Sequence, residues 1–301
     1  MRSHSHANWS PCHSPRTLMS DPDTDATRRA YWTEQLEAAH HFMFEQVLPY
    51  PVAENHEPLV SLQQAAAQAD VVLQFSTRPH ALGLPRLFYL RDGQIPSFIS
   101  AAAEMNARGW VMRVEDGYRT PQMQKHLGLI PQVFDAVLKS VMWELGSQRP
   151  TPEFMFRRCS TLVASVPKFG THMSGSAIDI SVLHLDEPAR EVDRGAPYLE
   201  MSALTPMGSP FVSDEARRNR RDITALMRRH GFVAYPWEFW HYSSGDAYEQ
   251  VLASTGRPAI YGAVQCDLQA LQVAPLPQPE QPLNSFDEIR AEIDAALARL
   301  G

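Results

Sequence analysis

A chain of 301 residues, 44% of them hydrophobic, is long enough to bury a substantial core, and its formal charge of −7 leaves no general attraction for nucleic-acid phosphates or an anionic membrane. Three widely spaced cysteines, Cys12, Cys159 and Cys266, form no CxxC pair, so they suggest neither a disulfide framework nor a thiolate zinc knot and suit a reducing cytoplasm. No stretch matches the run of about 18 apolar residues that a membrane span requires, and no apolar run near the start is long enough for a signal segment, so a cytoplasmic protein with a small-molecule partner is expected.

Residues 1–24 are rich in Ser, His, Pro and Asp and are expected to be disordered, because so little apolar surface cannot offset the entropy of ordering. A helix follows from Ala26, with Tyr31, Leu36, Phe42 and Phe44 in helical rhythm until Pro49 stops it. Its adjacent His40 and His41 point about 100° apart, which argues against a shared metal. "ADVVLQF" and "PRLFYLRDG" have the composition of strands, and "PSFISAAAEMNARG" reads as a helix closed by Gly109. "WVMRVEDGYRT" is a strand that ends at Asp116-Gly117, which leaves Arg119 in the loop just beyond.

Between about 121 and 168 the sequence predicts a helix over "PQVFDAVLKSVMWELG" and a Pro-rich connection at "QRPTPEF". "SDEARRNRRDITALMRRHG" is a helix capped by Ser213 and closed by Gly231, with Ile223, Leu226, Met227 and His230 as its apolar stripe and its arginines solvated. "FVAYPWEFWHYSSGD" reads as an aromatic, strand-like run. A Pro-rich linker then leads to a terminal helix, "FDEIRAEIDAALARL", which packs either on the surface or on a second copy of the chain.

The residues able to do chemistry lie in three of these segments. "FGTHMSGSAIDISV" offers His172 and Asp179, and "EFWH" offers Glu238 and His241. Two imidazoles and a carboxylate are a standard three-ligand set for catalytic zinc, and the metal lowers the pKa of a fourth ligand, water, toward about 7. A carboxylate such as Glu238 can take the proton from that water and pass one to a leaving amine. Residues three apart on a regular strand face opposite ways, so Glu238 and His241 share a site only where a bulge or a strand end re-aims one of them. Arg119 is placed to stabilise an oxyanion, with Asp116 holding its guanidinium, and Gly175, Ser176 and Ala177 allow a tight turn between two ligands.

Taken together, "DGYRT", "GTHMSGSAIDIS", "PMGSPF" and "GFVAYPWEFWHY" resemble the zinc D-alanyl-D-alanine dipeptidases of the vancomycin-resistance type, over about residues 85 to 245 and in the family's order. The resemblance implies an α+β fold in which a small, mostly antiparallel sheet flanked by helices carries the zinc. It implies one Zn2+ per chain on His172, Asp179 and His241, with Glu238 as base and acid and Arg119 as transition-state stabiliser. Asp116, Tyr118, Ser176 and Trp240 are then substrate-binding or supporting residues. The expected organisation is a peptidase domain over 25–265, with an insertion near 130–168, followed by the linker and helix of 266–301.

Two positions depart from the family pattern. Gly170 stands where a Ser or Thr is common, and Val212 stands where the family has an aspartate for the substrate's ammonium, unless Asp214 or another carboxylate takes that part. Three functions follow: a zinc dipeptidase for D-Ala-D-Ala or a similar dipeptide, a zinc carboxypeptidase or amidase for longer or N-modified peptides derived from peptidoglycan, or a binding module of the same fold without turnover. The partner in each is a peptide, with no nucleic acid or membrane, and a homo-oligomer is compatible with the terminal helix.

Overall fold

The computed structural model describes residues 24–80 and 83–301, so the expected disordered segment, apart from Thr24, lies outside the described residues, as does Cys12. Thr24 instead caps helix α1 (Asp25–His41), whose C-terminal end runs on into a wider π-helical turn, Phe42–Val47. Strand β1 (Leu59–Ser61), helix α2 (Leu62–Gln68), strand β2 (Leu73–Phe75) and strand β3 (Tyr89–Arg91) precede α3 (Ile95–Ala107). Gly109 closes that helix with φ +76°, a conformation that a Cβ would strain.

Strand β4 (Trp110–Asp116) leads into three helices, α4 (Pro121–Leu127), α5 (Pro131–Glu144) and α6 (Pro152–Val163). The last corrects the expected connection at "QRPTPEF": the Thr151 side chain accepts from Phe154 N and Pro152 occupies the first helical turn, so the Thr-Pro pair starts a helix. Strand β5 (Ala177–His184), helix α7 (Asp214–Arg229), strands β6 (Val233–Ala234) and β7 (His241–Ser243) and helix α8 (Ala247–Leu252) follow. The aromatic run is thus two short strands separated by turns rather than one strand, because Pro236 and the residues after it break the ladder.

One five-stranded sheet in the order β2-β4-β5-β7-β6 organises the molecule. Its sheet is mixed rather than mostly antiparallel as expected, since β2 runs parallel to β4 while β4-β5, β5-β7 and β6-β7 are antiparallel. Strand β5 is buried along nearly its whole length, so alternation separates two kinds of interior. Ile178, Ile180 and Val182 join Met112, Val114, Phe98 and the Ile223, Leu226 and Met227 stripe in one core. Ala177, Asp179 and Ser181 belong to the opposite face.

A second core gathers the π-helical turn after α1, α5, α6 and the C-terminal helix α9 (Phe286–Leu300), with Phe42, Val137, Met155, Phe169 and Ile293 among its buried members. Ile289, Ile293 and Ala296 of α9 are buried within this chain's own core. Before it, the start of the Pro-rich stretch forms β9 (Val273–Pro275), which pairs with the preceding β8 (Val264–Cys266), and Leu283 N donates to Ser165 O at 2.9 Å, so this stretch is docked. Among the described residues no helix is long and apolar enough to cross a membrane.

Candidate active site

The register of the sheet sets three site residues side by side. Asp116 of β4 pairs with Asp179 of β5, and Asp179 pairs with His241 of β7. In β4 the register shifts between Val114, opposite Ile180, and Asp116, opposite Asp179, which inserts one extra residue. Without this bulge Glu115 would face Asp179; with it, Glu115 instead binds Arg113 at 2.6 Å and Asp116 enters the site.

His172 comes from the turns ahead of β5. Gly175 has φ +67° there, and a Cβ would meet Leu59 Cδ2 at 2.5 Å, so this position accepts only glycine without displacement. The turns bring His172 back over the strand, where its Nε2 lies 3.2 Å from Asp179 Oδ1. His241 is the first residue of β7, and its Nδ1 lies 3.0 Å from the same oxygen. Glu238 sits in the turns that precede β7, with Oε2 4.0 Å from His241 Nδ1, so a strand end brings the two toward one point.

These three donors fit a metal ion. Tetrahedral zinc with bonds of about 2.0–2.2 Å separates its ligands by roughly 3.3 Å, close to the 3.0 and 3.2 Å seen here, and one donor atom from each residue falls within 4.8 Å of the others. The hydrogen bonds behind them agree. Gly117 O can only accept, so His172 Nδ1 at 2.7 Å carries a ring proton and Nε2 is the atom that faces Asp179 and a metal. Thr171 Oγ1 fixes the far side of the other ring, 2.9 Å from His241 Nε2.

Burial alone would raise the Asp179 carboxyl, but the two imidazoles outweigh it and hold it well below the usual carboxylate range. Its second oxygen accepts from Tyr198 Oη at 2.9 Å and from an Arg119 terminal nitrogen at 3.3 Å. Arg119 is also bound through Nε to Asp116 Oδ2 at 2.8 Å and through its other terminal nitrogen to Gln124 Oε1 at 3.3 Å. Arg86 meets the same Asp116 oxygen at 3.0 Å. The guanidinium of Arg119 is therefore charged and held along its length, a rigid donor on the cavity wall. Glu238 is the opposite case: burial, and next the Asp179 charge, push its carboxyl well above the ordinary glutamate range.

All these groups line one cavity of about 830 Å³. Trp240 lines it too, with its ring edge against Tyr198, whereas Tyr118 and Ser176 do not. Tyr118 donates to Val264 O at 3.1 Å and Ser176 to Asp246 Oδ2 at 2.7 Å, so both support the surrounding turns. Val212 is buried against Gly195 and does not line the cavity, and Asp214 is exposed on α7 and pairs with Arg217. Several lining residues gave no sequence signal: Gln124, Tyr198, Glu200, Arg86 and His80 sit on a short helix or on aperiodic loops. His80 is buried, its ring nitrogens make no hydrogen bond among the described residues although Nε2 lies 3.7 Å from Asp116 Oδ2, and burial followed by the Arg119 charge lowers its pKa to about 4.

The family described as D-ala-D-ala dipeptidase matches residues 86–256, more than half of the chain. The D-alanyl-D-alanine dipeptidase of Escherichia coli is 35% identical over 124 residues, 40% of this chain and 58% of that protein. The D-alanyl-D-alanine dipeptidase of Synechocystis is 31% identical over 110 residues, 31% of this chain and 44% of that protein. The chain thus spans about half the length of the curated relatives it matches. A vancomycin-resistance D,D-pentapeptidase solved with Zn(II) aligns at 18% identity over 71% of this chain and 97% of its own, with a TM-score of 0.34. By the extent of the family match, the chain belongs to the D-ala-D-ala dipeptidase family.

Proposed function

We propose that this chain is a zinc metallopeptidase that hydrolyses the peptide bond of D-Ala-D-Ala or a similar small dipeptide, with one zinc held by His172, Asp179 and His241. The observation that carries the reading is the convergence on one cavity of three metal donors, the half-buried Glu238 carboxyl and the clamped Arg119 guanidinium. Zinc, when bound there, supplies the acidity that makes water a nucleophile near neutral pH.

The chain's own residues supply the rest. Glu238 takes a proton from the attacking water and returns one to the leaving amine, a transfer that typically contributes about 10²–10⁴-fold. Arg119 donates to the scissile carbonyl oxygen as negative charge develops on it, and its three fixed partners mean that little reorganisation is needed at that moment. Gly117 O and Thr171 keep the two imidazoles oriented. The 301-residue chain loaded with zinc is expected to cleave D-Ala-D-Ala, to lose that activity to a chelator and to regain it on adding zinc; absence of cleavage at every zinc level would overturn the reading.

A second reading, hydrolysis of longer or N-modified peptides, is favoured by Val212, which offers no counter-charge to a free ammonium. Glu200 answers it within the first reading. It lines the cavity, and its carboxylate makes no ion pair or side-chain hydrogen bond among the described residues. Charged hydrogen bonds contribute about 1.5–3 kcal/mol, so Glu200→Gln is expected to raise KM for free dipeptides roughly tenfold or more without affecting N-acetylated ones. An unchanged KM for free dipeptides in steady-state kinetics would remove Glu200 from this role and favour the second reading.

A further inference from the structure

The cavity is far roomier than two alanines require, and its walls differ in chemistry. Its volume of about 830 Å³ lies in the upper part of the range of about 300–1,000 Å³ that accommodates drug-sized ligands. Arg78, Arg86 and Arg119 make one part cationic, with Arg86 Nε donating to Arg78 O at 2.8 Å. Another part is apolar: Met43 from the π-helical turn, Leu127 from α4, Ile130 and Val133 at the start of α5, and Leu162 and Val163 at the end of α6. Apart from the turn after α1, these helices fall in the stretch 121–168, for which the sequence suggested no chemistry.

The apolar wall is fixed relative to the reacting groups. Gln124 accepts from Arg119 and donates through Nε2 to Val163 O, so the end of α6 is tied to the same guanidinium that faces the metal donors. On the other side Tyr235 packs its ring 5.9 Å from His241 and also belongs to the second core. Leu127, Ile130, Val133 and Leu162 are only half-buried, and each of them lines the cavity. Apolar surface left uncovered beside a reaction centre is surface that a substrate can cover.

We infer that this wall is a specificity subsite for a large apolar side chain, so that the preferred substrates are small peptides bearing a leucine- or phenylalanine-sized group rather than D-Ala-D-Ala itself. The inference rests on the peptidase reading for the site beside it, but the subsite is defined by its own residues. Full burial of such a side chain corresponds to roughly 10- to 100-fold in kcat/KM or in affinity.

The test compares D-Ala-D-Ala with D-Phe-D-Ala and D-Ala-D-Phe on the zinc-loaded full chain, and measures the binding of all three to the Glu238→Gln variant by calorimetry. The better phenylalanine peptide is expected to exceed D-Ala-D-Ala at least tenfold in both measurements. Val133→Trp, which fills the wall, is expected to lower that ratio at least tenfold; Val133→Ala, which removes contact without adding bulk, should lower it severalfold even if the tryptophan variant does not fold. If D-Ala-D-Ala is cleaved and bound as well as or better than both phenylalanine peptides, the subsite is refuted while the peptidase reading stands. If nothing is cleaved but the phenylalanine peptides still bind more tightly, the subsite stands and the peptidase reading falls.

Discussion

Glu238→Gln is expected to reduce kcat by about 10²–10⁴-fold while zinc content by metal analysis stays at the wild-type level. Glutamine preserves the shape of the side chain and its contacts with the turns before β7, but it can neither take up nor release the proton. Metal retention follows because His172, Asp179 and His241 are untouched. The variant should also be as thermally stable as the wild type, or more so, since a carboxyl whose charge is penalised by burial is replaced by a neutral group. A variant that kept more than a tenth of the activity would show that the proton moves through another group.

Asp179→Ala is expected to fail in two ways at once. One side chain faces both imidazoles with one oxygen and Tyr198 and Arg119 with the other, so its loss removes a metal donor and the anchor of a buried cation together. Activity should fall below detection and bound zinc below about a tenth of wild type, a loss in line with a three-donor set reduced to two. Breaking a buried pair from one side costs about 3–5 kcal/mol, and the low end is expected because Asp116 still holds Arg119. Chemical denaturation of the metal-free proteins isolates that part: equal midpoints for wild type and variant would mean that Asp179 is a ligand without a structural share.

The candidate site was legible in the sequence to the extent that its residues are chemically conspicuous. A His, an Asp, a Glu-x-x-His and an Arg after Asp-Gly-Tyr stand out by type, and the spacing of Glu238 and His241 already required a bulge or a strand end, of which the structure shows the strand end, β7 beginning at His241. Helices with caps were legible for the same reason: Ser213, Gly109 and Gly231 are local signals that neighbouring residues decide. By contrast, α6 was hidden behind a Thr-Pro pair read as a connection, and the parallel pairing of β2 with β4 depends on contacts 39 residues apart, as in Leu73 with Met112. Glu200, His80 and Tyr198 could not be picked out, because nothing local distinguishes a loop residue that faces a cavity from one that faces water.

The extra residue in β4 gives the site a reading frame. Gly117, whose carbonyl orients His172, and Arg119, whose guanidinium meets Asp179, both follow the bulge, so their positions along the chain are counted from it. Pairing β4 with β5 without the bulge would set Glu115 opposite Asp179 and carry Asp116, Gly117 and Arg119 one residue along the ladder together, misdirecting the imidazole proton and the cation in a single event, even though every site side chain would still be present. Several parts of the site therefore depend on one local choice of register, which no substitution at a single one of them would reproduce.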